Sequence, residues 1–275
     1  MKTVLLTYSN EAYEKSKRKC VWTAKHIAGF DKVISTNPSF LDKDFIKENE
    51  AILSFKRGAG LWLWKPYIIF KTLCELDDGD FLFYCDAGAC FVRSIWPIIN
   101  SIKQDVWCCD IPTIEEEFTK EECFAYMDCD SVQYRKTNQR IATFMCFRKT
   151  QDSVAFVKEW LKLCKTFQLI SPAESIRYKD HILYSHREDQ SIFSLLTKKQ
   201  GIQSHKIPTT SYYFPYLEQW EGCTVRPPLH DDKYGITIFL HKKKDVSFLS
   251  VLFHYVYIRL PYSIMKFLRF NKSSR

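Results

Sequence analysis

The feature that most constrains this chain is its first thirty-five residues. Thr3-Val4-Leu5-Leu6-Thr7-Tyr8 is a short apolar run with β-branched residues at Thr3, Val4 and Thr7, which reads as a buried strand. Ser9-Asn10 then caps a helix over about 11–28 that ends near Gly29, and Lys32-Val33-Ile34-Ser35 reads as a second strand. Strand, helix and strand at this spacing make a βαβ unit, which implies a parallel sheet and an α/β fold.

The rest of the chain extends that pattern. A helix is expected over about 41–53. Gly58 and Gly60 predict a loop with special backbone angles before Pro66, which suits the first turn of a helix running to about Leu76. Phe81-Leu82-Phe83-Tyr84-Cys85-Asp86 predicts a fully buried strand ending on an acid. A helix around 95–103 and a strand around 105–111 follow. Residues 112–140 read as acidic and irregular, Ile141 to Phe147 as a strand, and 151–168 as an amphipathic helix. The segment 171–185 reads as loop, Glu188 to Lys198 as a helix, and Ile236 to Leu240 as a late strand ending at His241.

At 275 residues and 46% hydrophobic content, the chain suffices for one large domain. The net charge of +8 is unevenly placed. From Lys242 onward eight basic residues face only Asp245, which leaves the body near neutral and argues against a nucleic-acid partner. Eleven cysteines without any CxxC pair give neither zinc spacing nor a disulfide framework, which favours a reducing cytosol. The sequence opens directly on its first strand, without a signal-peptide pattern, and no apolar run reaches the length of a membrane span.

Chemistry concentrates in three places. In an open α/β sheet, ligands gather at the carboxyl ends of strands, so Asp86 after its apolar strand points into the usual site. A carboxylate there can hold a divalent cation, which neutralises a diphosphate leaving group. The alternative is an acid that caps a turn. Gly88, two residues on, allows close backbone approach to a ligand. His186-Arg187-Glu188-Asp189-Gln190 opens a helix with two acids, which serve either as a general base or simply as favourable charges at a helix N-terminus. His241 precedes Lys242-Lys243-Lys244 and is either a metal ligand or a surface histidine. Arg57 and Lys65 carry the charge that phosphates select.

The strand with Tyr84 and Asp86 resembles the metal-and-nucleotide motif of GT-A glycosyltransferases. Gly60-x-Trp62-x-Trp64-Lys65-Pro66 is similar to segments of bacterial glycosyltransferases from capsule and lipopolysaccharide gene clusters. The resemblance spans roughly residues 1–241, and its dense matches lie at 57–67, 80–89 and 186–196. It implies a single GT-A domain, Rossmann-like with a mostly parallel sheet. It also implies sugar transfer from a nucleoside-diphosphate donor, UDP-sugar by default, to a glycan or glycolipid acceptor. Donor contacts then fall on Thr7, Tyr8, Arg57, Lys65, Asp86, Ala87 and Gly88. Asp189, with Glu188 in reserve, becomes the base of an inverting reaction. Asp86 and His241 become ligands of Mn²⁺ or Mg²⁺. The family's usual Asp-x-Asp is here Asp86-Ala87-Gly88, so the second carboxylate is missing. A nucleotidyltransferase would carry a Gly-rich basic loop where this chain has Tyr8-Ser9-Asn10-Glu11. A non-catalytic saccharide-binding protein of the envelope is the reading that the missing acid keeps open.

Residues 242–275 form a separate basic, aromatic tail. Its 246–270 stretch is broken at Pro261 and reads as two interfacial helices on an anionic membrane surface. This places the protein in the cytoplasm, peripheral to the inner membrane.

Overall fold

The computed structural model describes residues 1–209, 222–226, 230–257 and 259–260. In chain order the main elements are β1 (Thr3–Tyr8), α1 (Glu14–Thr23), β2 (Lys32–Thr36), α2 (Trp64–Cys74), β3 (Phe81–Cys85), β4 (Ala89–Phe91), β5 (Val106–Ile114), β6 (Asn138–Arg140), β7 (Phe144–Arg148), α3 (Gln151–Lys165), β8 (Ile176–Arg177), β9 (Ile182–Leu183), α4 (Glu188–Lys199), β10 (Ser204–His205), β11 (Ile238–Leu240) and α5 (Phe248–Tyr257).

The central sheet runs β10-β5-β7-β3-β1-β2, with β6 added to β5. β1 pairs in parallel with both β2 and β3, and β10 with β5. β7 alone in that row runs against its neighbours β3 and β5. The sheet is thus mostly parallel, as the opening βαβ pattern requires.

Burial explains why β1 and β3 read as continuous apolar runs: a strand covered on both faces has no polar side. Val4, Leu6, Leu82 and Tyr84 face one core with Ile68, Ile69, Phe156, Trp160 and Phe193 from α2, α3 and α4. Leu5, Phe81, Phe83 and Cys85 face the other, with Ala24, Phe30, Phe91, Ile98 and Trp107. Each such aliphatic or aromatic side chain contributes about 1.5–3 kcal/mol by leaving water. All eleven cysteines are free, and nine of them are buried, where they pack as small hydrophobes.

Several boundaries differ from expectation. The first helix is segmented: a 3-10 turn over Glu11–Tyr13, α1, and a wider turn over Ala24–Ala28 closed by Gly29 at φ 79°. Asn10 makes no side-chain cap; Ser9 Oγ instead donates to Glu14. The helix placed at 41–53 is two pieces, Lys43–Glu48 and Glu50–Leu53. The one placed at 95–103 is a single turn, Trp96–Ile99. β5 continues to Ile114, and the strand placed at 141–147 starts at Phe144. The acidic stretch 112–140 is ordered by burial of its charges: Glu115 accepts from Thr119, Ser194 and Lys198. Charges paired off by tertiary partners leave no hydrophobic period to read. The late strand β11 lies outside the main sheet and pairs antiparallel with β4.

Candidate active site

The chain leaves β1 for β2 on one side and returns to β3 on the other. This is a topological switch point, where the loops at the strand ends part and leave a crevice. A cavity of about 380 Å³ occupies it. Tyr8 and Asn10 from the end of β1, Asp86 and Gly88 from the end of β3, and Trp62 and Lys242 from neighbouring segments line it. Tyr8 and Trp64 stack at 3.9 Å and 22°, which makes a flat aromatic wall. Burial pushes the Tyr8 hydroxyl up to about 12, so it stays protonated.

Asp86 follows β3 directly and is aimed by two contacts. Its backbone N–H donates to Thr143 O at 2.8 Å, and its Oδ1 accepts from the Tyr84 hydroxyl at 2.5 Å. Its side chain keeps 30% exposure, and among the described residues it is the one carboxylate lining the cavity.

Beneath it lies a buried ion cluster. Lys65 Nζ is 2.9 Å from Asp189 Oδ2 and 3.6 Å from Asp86 Oδ1, and it donates to Ala142 O at 3.0 Å. Burial alone would drive the Lys65 ammonium toward neutrality. The two carboxylates outweigh it and hold the ammonium above the ordinary lysine range. Burial pushes the Asp189 carboxyl up to about 7 against the opposing pull of Lys65. The Lys65–Asp189 contact is close in distance but poorly directed, and Asp189 Oδ2 has no aligned hydrogen-bond donor. Asp189 is 3% exposed and does not line the cavity. Its carboxylate faces Lys65 rather than the open space expected of an acceptor base. Lys65 likewise reaches the two acids and not the cavity.

The glycine-containing segment forms one wall. Gly58, Ala59, Gly60, Leu61 and Trp62 all have positive φ, at 60°, 51°, 100°, 52° and 58°. Left-handed backbone costs a non-glycine residue roughly 1–2 kcal/mol, so this turn stores strain that its surroundings must offset. Trp64 Nε1 donates to Gly58 O at 2.9 Å, and Gly60 N–H donates to Phe55 O at 2.8 Å. Arg57 anchors the turn's start by pairing with Glu188. Glu188 also has positive φ, 35°. Its burial raises its carboxyl above the usual range, and Arg57 opposes that shift. Arg57 and Glu188 are therefore spent on each other, not on the cavity.

The remaining expected residues separate. Ala87 and Gly88 line the cavity. Thr7 is buried, its hydroxyl without a partner, and it does not reach the cavity. His241 sits between two cavity residues, Leu240 and Lys242, but is itself not one of them. Its Nδ1 accepts from Lys243 N–H at 3.2 Å, and its Nε2 faces Cys90 Sγ at 3.8 Å. Burial, with help from Lys19 and Lys243, drops its pKa to about 4. Asp86 lines the cavity and His241 does not, and among the described residues no group of three or more His, Cys, Asp or Glu is placed to hold a metal ion.

Sequence reasoning missed Lys56, Asn10, Tyr13 and Thr143, which also line the cavity. It used Tyr84 only as part of a pattern, whereas Tyr84 orients Asp86. Asn10 carried a signal, since it lies just past the carboxyl end of β1, two residues beyond Tyr8. Lys56 and Thr143 carried none, because only tertiary folding brings them near.

No protein-family model and no curated protein matches the sequence. Among solved structures, the chain is similar to a mouse xyloside xylosyltransferase 1, at 10% identity and a TM-score of 0.48, over 86% of this chain and 96% of that one. It is similar to the galactosyltransferase LgtC, solved with donor and acceptor sugar analogues, at 11% identity and a TM-score of 0.46, over 86% of each chain. It is also similar to the glycosyltransferase GlyE of Streptococcus pneumoniae, at 12% identity and a TM-score of 0.48, over 99% of this chain and 64% of that one.

Proposed function

We propose that this protein is a glycosyltransferase, moving a sugar from a nucleoside-diphosphate donor to a saccharide or lipid-linked saccharide acceptor in surface-polysaccharide synthesis. One observation carries the reading: a cavity at the switch point combines stacked aromatic walls, a single oriented carboxylate and two lysines. Tyr8, Tyr13 and Trp62 give faces for a nucleobase or sugar ring. Lys56 and Lys242 give positive charge for a diphosphate. Asp86 is held by Tyr84 where it can accept a hydrogen bond from a sugar hydroxyl. Asp189 acts as a positioning residue: it fixes Lys65, and Lys65 steadies Asp86 from below. A non-catalytic saccharide-binding protein would not need a carboxylate mounted on a buried ion cluster. The test is a donor screen: purified protein with UDP-, GDP- and CMP-sugars, with and without saccharide acceptors, monitored for released nucleotide. Release from one donor supports the reading. No release, together with no nucleotide binding, overturns it.

The tail helix supports a membrane-bound acceptor. Phe248, Leu249, Leu252, Phe253 and Val256 of α5 are all exposed, on one face at helical spacing. Trp22 of α1 extends that face, touching Phe248 edge-on at 5.0 Å. Arg18, Lys25, Lys243 and Lys244 are exposed nearby, so an apolar stripe beside cations meets an anionic lipid surface. The second expected interfacial helix, after Pro261, lies outside the described residues. No helix among the described residues is long and apolar enough to cross a membrane.

A further inference from the structure

A second cavity, of about 650 Å³, lies at the edge of the central sheet opposite β2, among β5, β6 and the start of β10. Arg140, Lys198 and Arg226 line it, against Asp110 as the one carboxylate among the described residues. β5 and β6 set Asp110 and Arg140 opposite each other in register, yet the pair is loose. Arg140 Nε stands 3.6 Å from Asp110 Oδ1 and has no hydrogen-bond partner. Asp110 Oδ2 accepts instead from Ser204 Oγ at 2.7 Å. A guanidinium carries five N–H donors. Among the described residues this one makes a single hydrogen bond, to the Cys108 thiol at 3.8 Å, a weak acceptor. The Arg140 side chain is only 10% exposed, and a group so buried ordinarily has its donors satisfied. Lys198 is 8% exposed and pairs with Glu115. Burial holds its ammonium below the ordinary lysine range against the pull of Glu115, and the Arg140 charge adds to that lowering. Two buried cations thus repel each other beside one open space. Arg226 is exposed, and its segment is fastened there: Asn138 Nδ2 donates to Arg226 O at 2.5 Å, and Arg226 Nη1 to Lys136 O at 2.7 Å.

We propose that this second cavity is an oxyanion-binding site, in which the Nη groups of Arg140, with Arg226 at the rim, hold a carboxylate or phosphate group. The planar guanidinium fork matches both groups in shape and charge. An oxyanion there gives Arg140 the acceptors it lacks and screens it from Lys198. The group arrives either as free phosphate or on an acidic sugar, and the two share this chemistry. The site is separate from the cavity at the ends of β1 and β3, and it does not depend on what that cavity binds.

The experiment is calorimetric titration of inorganic phosphate, glucose 6-phosphate, glucuronate and glucose into the full chain, with and without UDP. At least one of the three oxyanions should bind and weaken as salt rises, while neutral glucose does not bind. Arg140→Gln should weaken that binding about ten-fold or more, as loss of a charge-assisted contact does. Arg226→Ala, an exposed change, should weaken it about three-fold. Thermal melts establish that each variant folds, and the bound oxyanion should raise the parent's midpoint more than that of Arg140→Gln. Should Arg140→Gln not fold, Arg226→Ala decides. Phosphate binding as tightly as the sugar acids identifies a free-anion site, and a sugar acid or sugar phosphate at least about ten-fold tighter identifies a saccharide site; both uphold the proposal. No binding of any oxyanion overturns it, as does glucose binding as well as glucuronate. Displacement of the oxyanion by UDP also overturns it, because the anion then sits in the first cavity. So does binding indifferent to both substitutions in folded variants. Failure of UDP itself to bind counts against the nucleotide-sugar reading alone.

Discussion

Lys65 Nζ stands 2.9 Å from Asp189 Oδ2, and both side chains are about 95% buried. Breaking such a pair leaves a charge in the interior with nothing to offset its desolvation. Lys65→Met is therefore expected to destabilise the fold by about 3–5 kcal/mol, read as a lowered urea midpoint. The double variant Lys65→Met/Asp189→Leu should recover a large part of that loss, because it removes the stranded carboxylate. Equal destabilisation in the single and double variants would show that the pair is not coupled.

Asp86 is the reverse case, a partly exposed acid whose contacts serve aim rather than stability. Asp86→Asn keeps an acceptor for the Tyr84 hydroxyl but loses the negative charge. Turnover should fall by roughly 100-fold or more, the scale of losing one well-placed electrostatic group in a site. The melting temperature should stay within a few degrees of the parent. Transfer at the parental rate would remove Asp86 from the chemistry.

The parts of this fold that were legible in the sequence are those decided locally. β1, β2 and β3 show as apolar runs bounded by turn residues, and Asp86 is marked by following one of them. What was not legible depends on which face a side chain ends up on. His241 and Lys242 are adjacent, yet the ring turns to Cys90 and the lysine lines the cavity. Asp189 sits at a helix start as expected, but the burial of Lys65 beneath it decides that it faces an ammonium and not an acceptor. The segment 112–140 looked irregular because its acids are satisfied by Ser194, Lys198 and Lys136, which lie far away in sequence or carry no periodic signal.

The left-handed turn after Arg57 gives a sharper test of backbone reading. Gly60 has φ 100°, and a Cβ there would meet Leu53 Cα at 2.8 Å. Gly60→Ala should cost about 2–3 kcal/mol or more, combining conformational strain with a clash against backbone. Ala59, at φ 51°, should respond in the opposite sense. Ala59→Gly relieves left-handed strain and loses part of that gain to unfolded-chain entropy, for a net stabilisation of up to about 1 kcal/mol. Denaturant midpoints decide both, and a neutral Gly60→Ala would mean the turn relaxes freely.

His186 provides the pH dependence. Its Nδ1 accepts from Lys120 N–H at 3.4 Å, and its Nε2 contacts Leu169 O at 2.8 Å. Burial, with Lys120 nearby, drops its pKa to about 3 from the ordinary 6.5. The folded ring stays neutral while the unfolded one takes up a proton below about 6.5. Stability from this group is therefore complete above pH 6.5 and is lost progressively as pH falls toward 3. The loss should be about 2 kcal/mol at pH 5, from 1.36 kcal/mol per unit of pKa difference. His186→Gln cannot titrate and should show a flatter stability profile between pH 7 and 5. Parallel profiles for parent and variant would assign the acid sensitivity elsewhere.

The exposed face of α5 yields the last prediction. Ser16 Oγ donates to Lys243 O at 2.6 Å, and Lys19 pairs with Asp245, so the helix is tied to α1 and its orientation is set by the body. Val251 and Tyr257 turn inward, while Leu252 and Phe253 remain 49% and 45% exposed. If that outward face inserts at the headgroup boundary, each side chain adds about 1.5–3 kcal/mol of burial, and the neighbouring lysines and arginines add attraction to anionic lipid. The full chain should co-sediment with vesicles containing phosphatidylglycerol, bind neutral phosphatidylcholine vesicles far less, and be released by salt. Leu252→Asp/Phe253→Asp should weaken vesicle binding at least ten-fold, since two apolar anchors are lost and two negative charges are placed against the lipid. Unchanged binding in that variant would mean that α5 does not face the membrane, and neither vesicle type binding the parent would remove the membrane from the account.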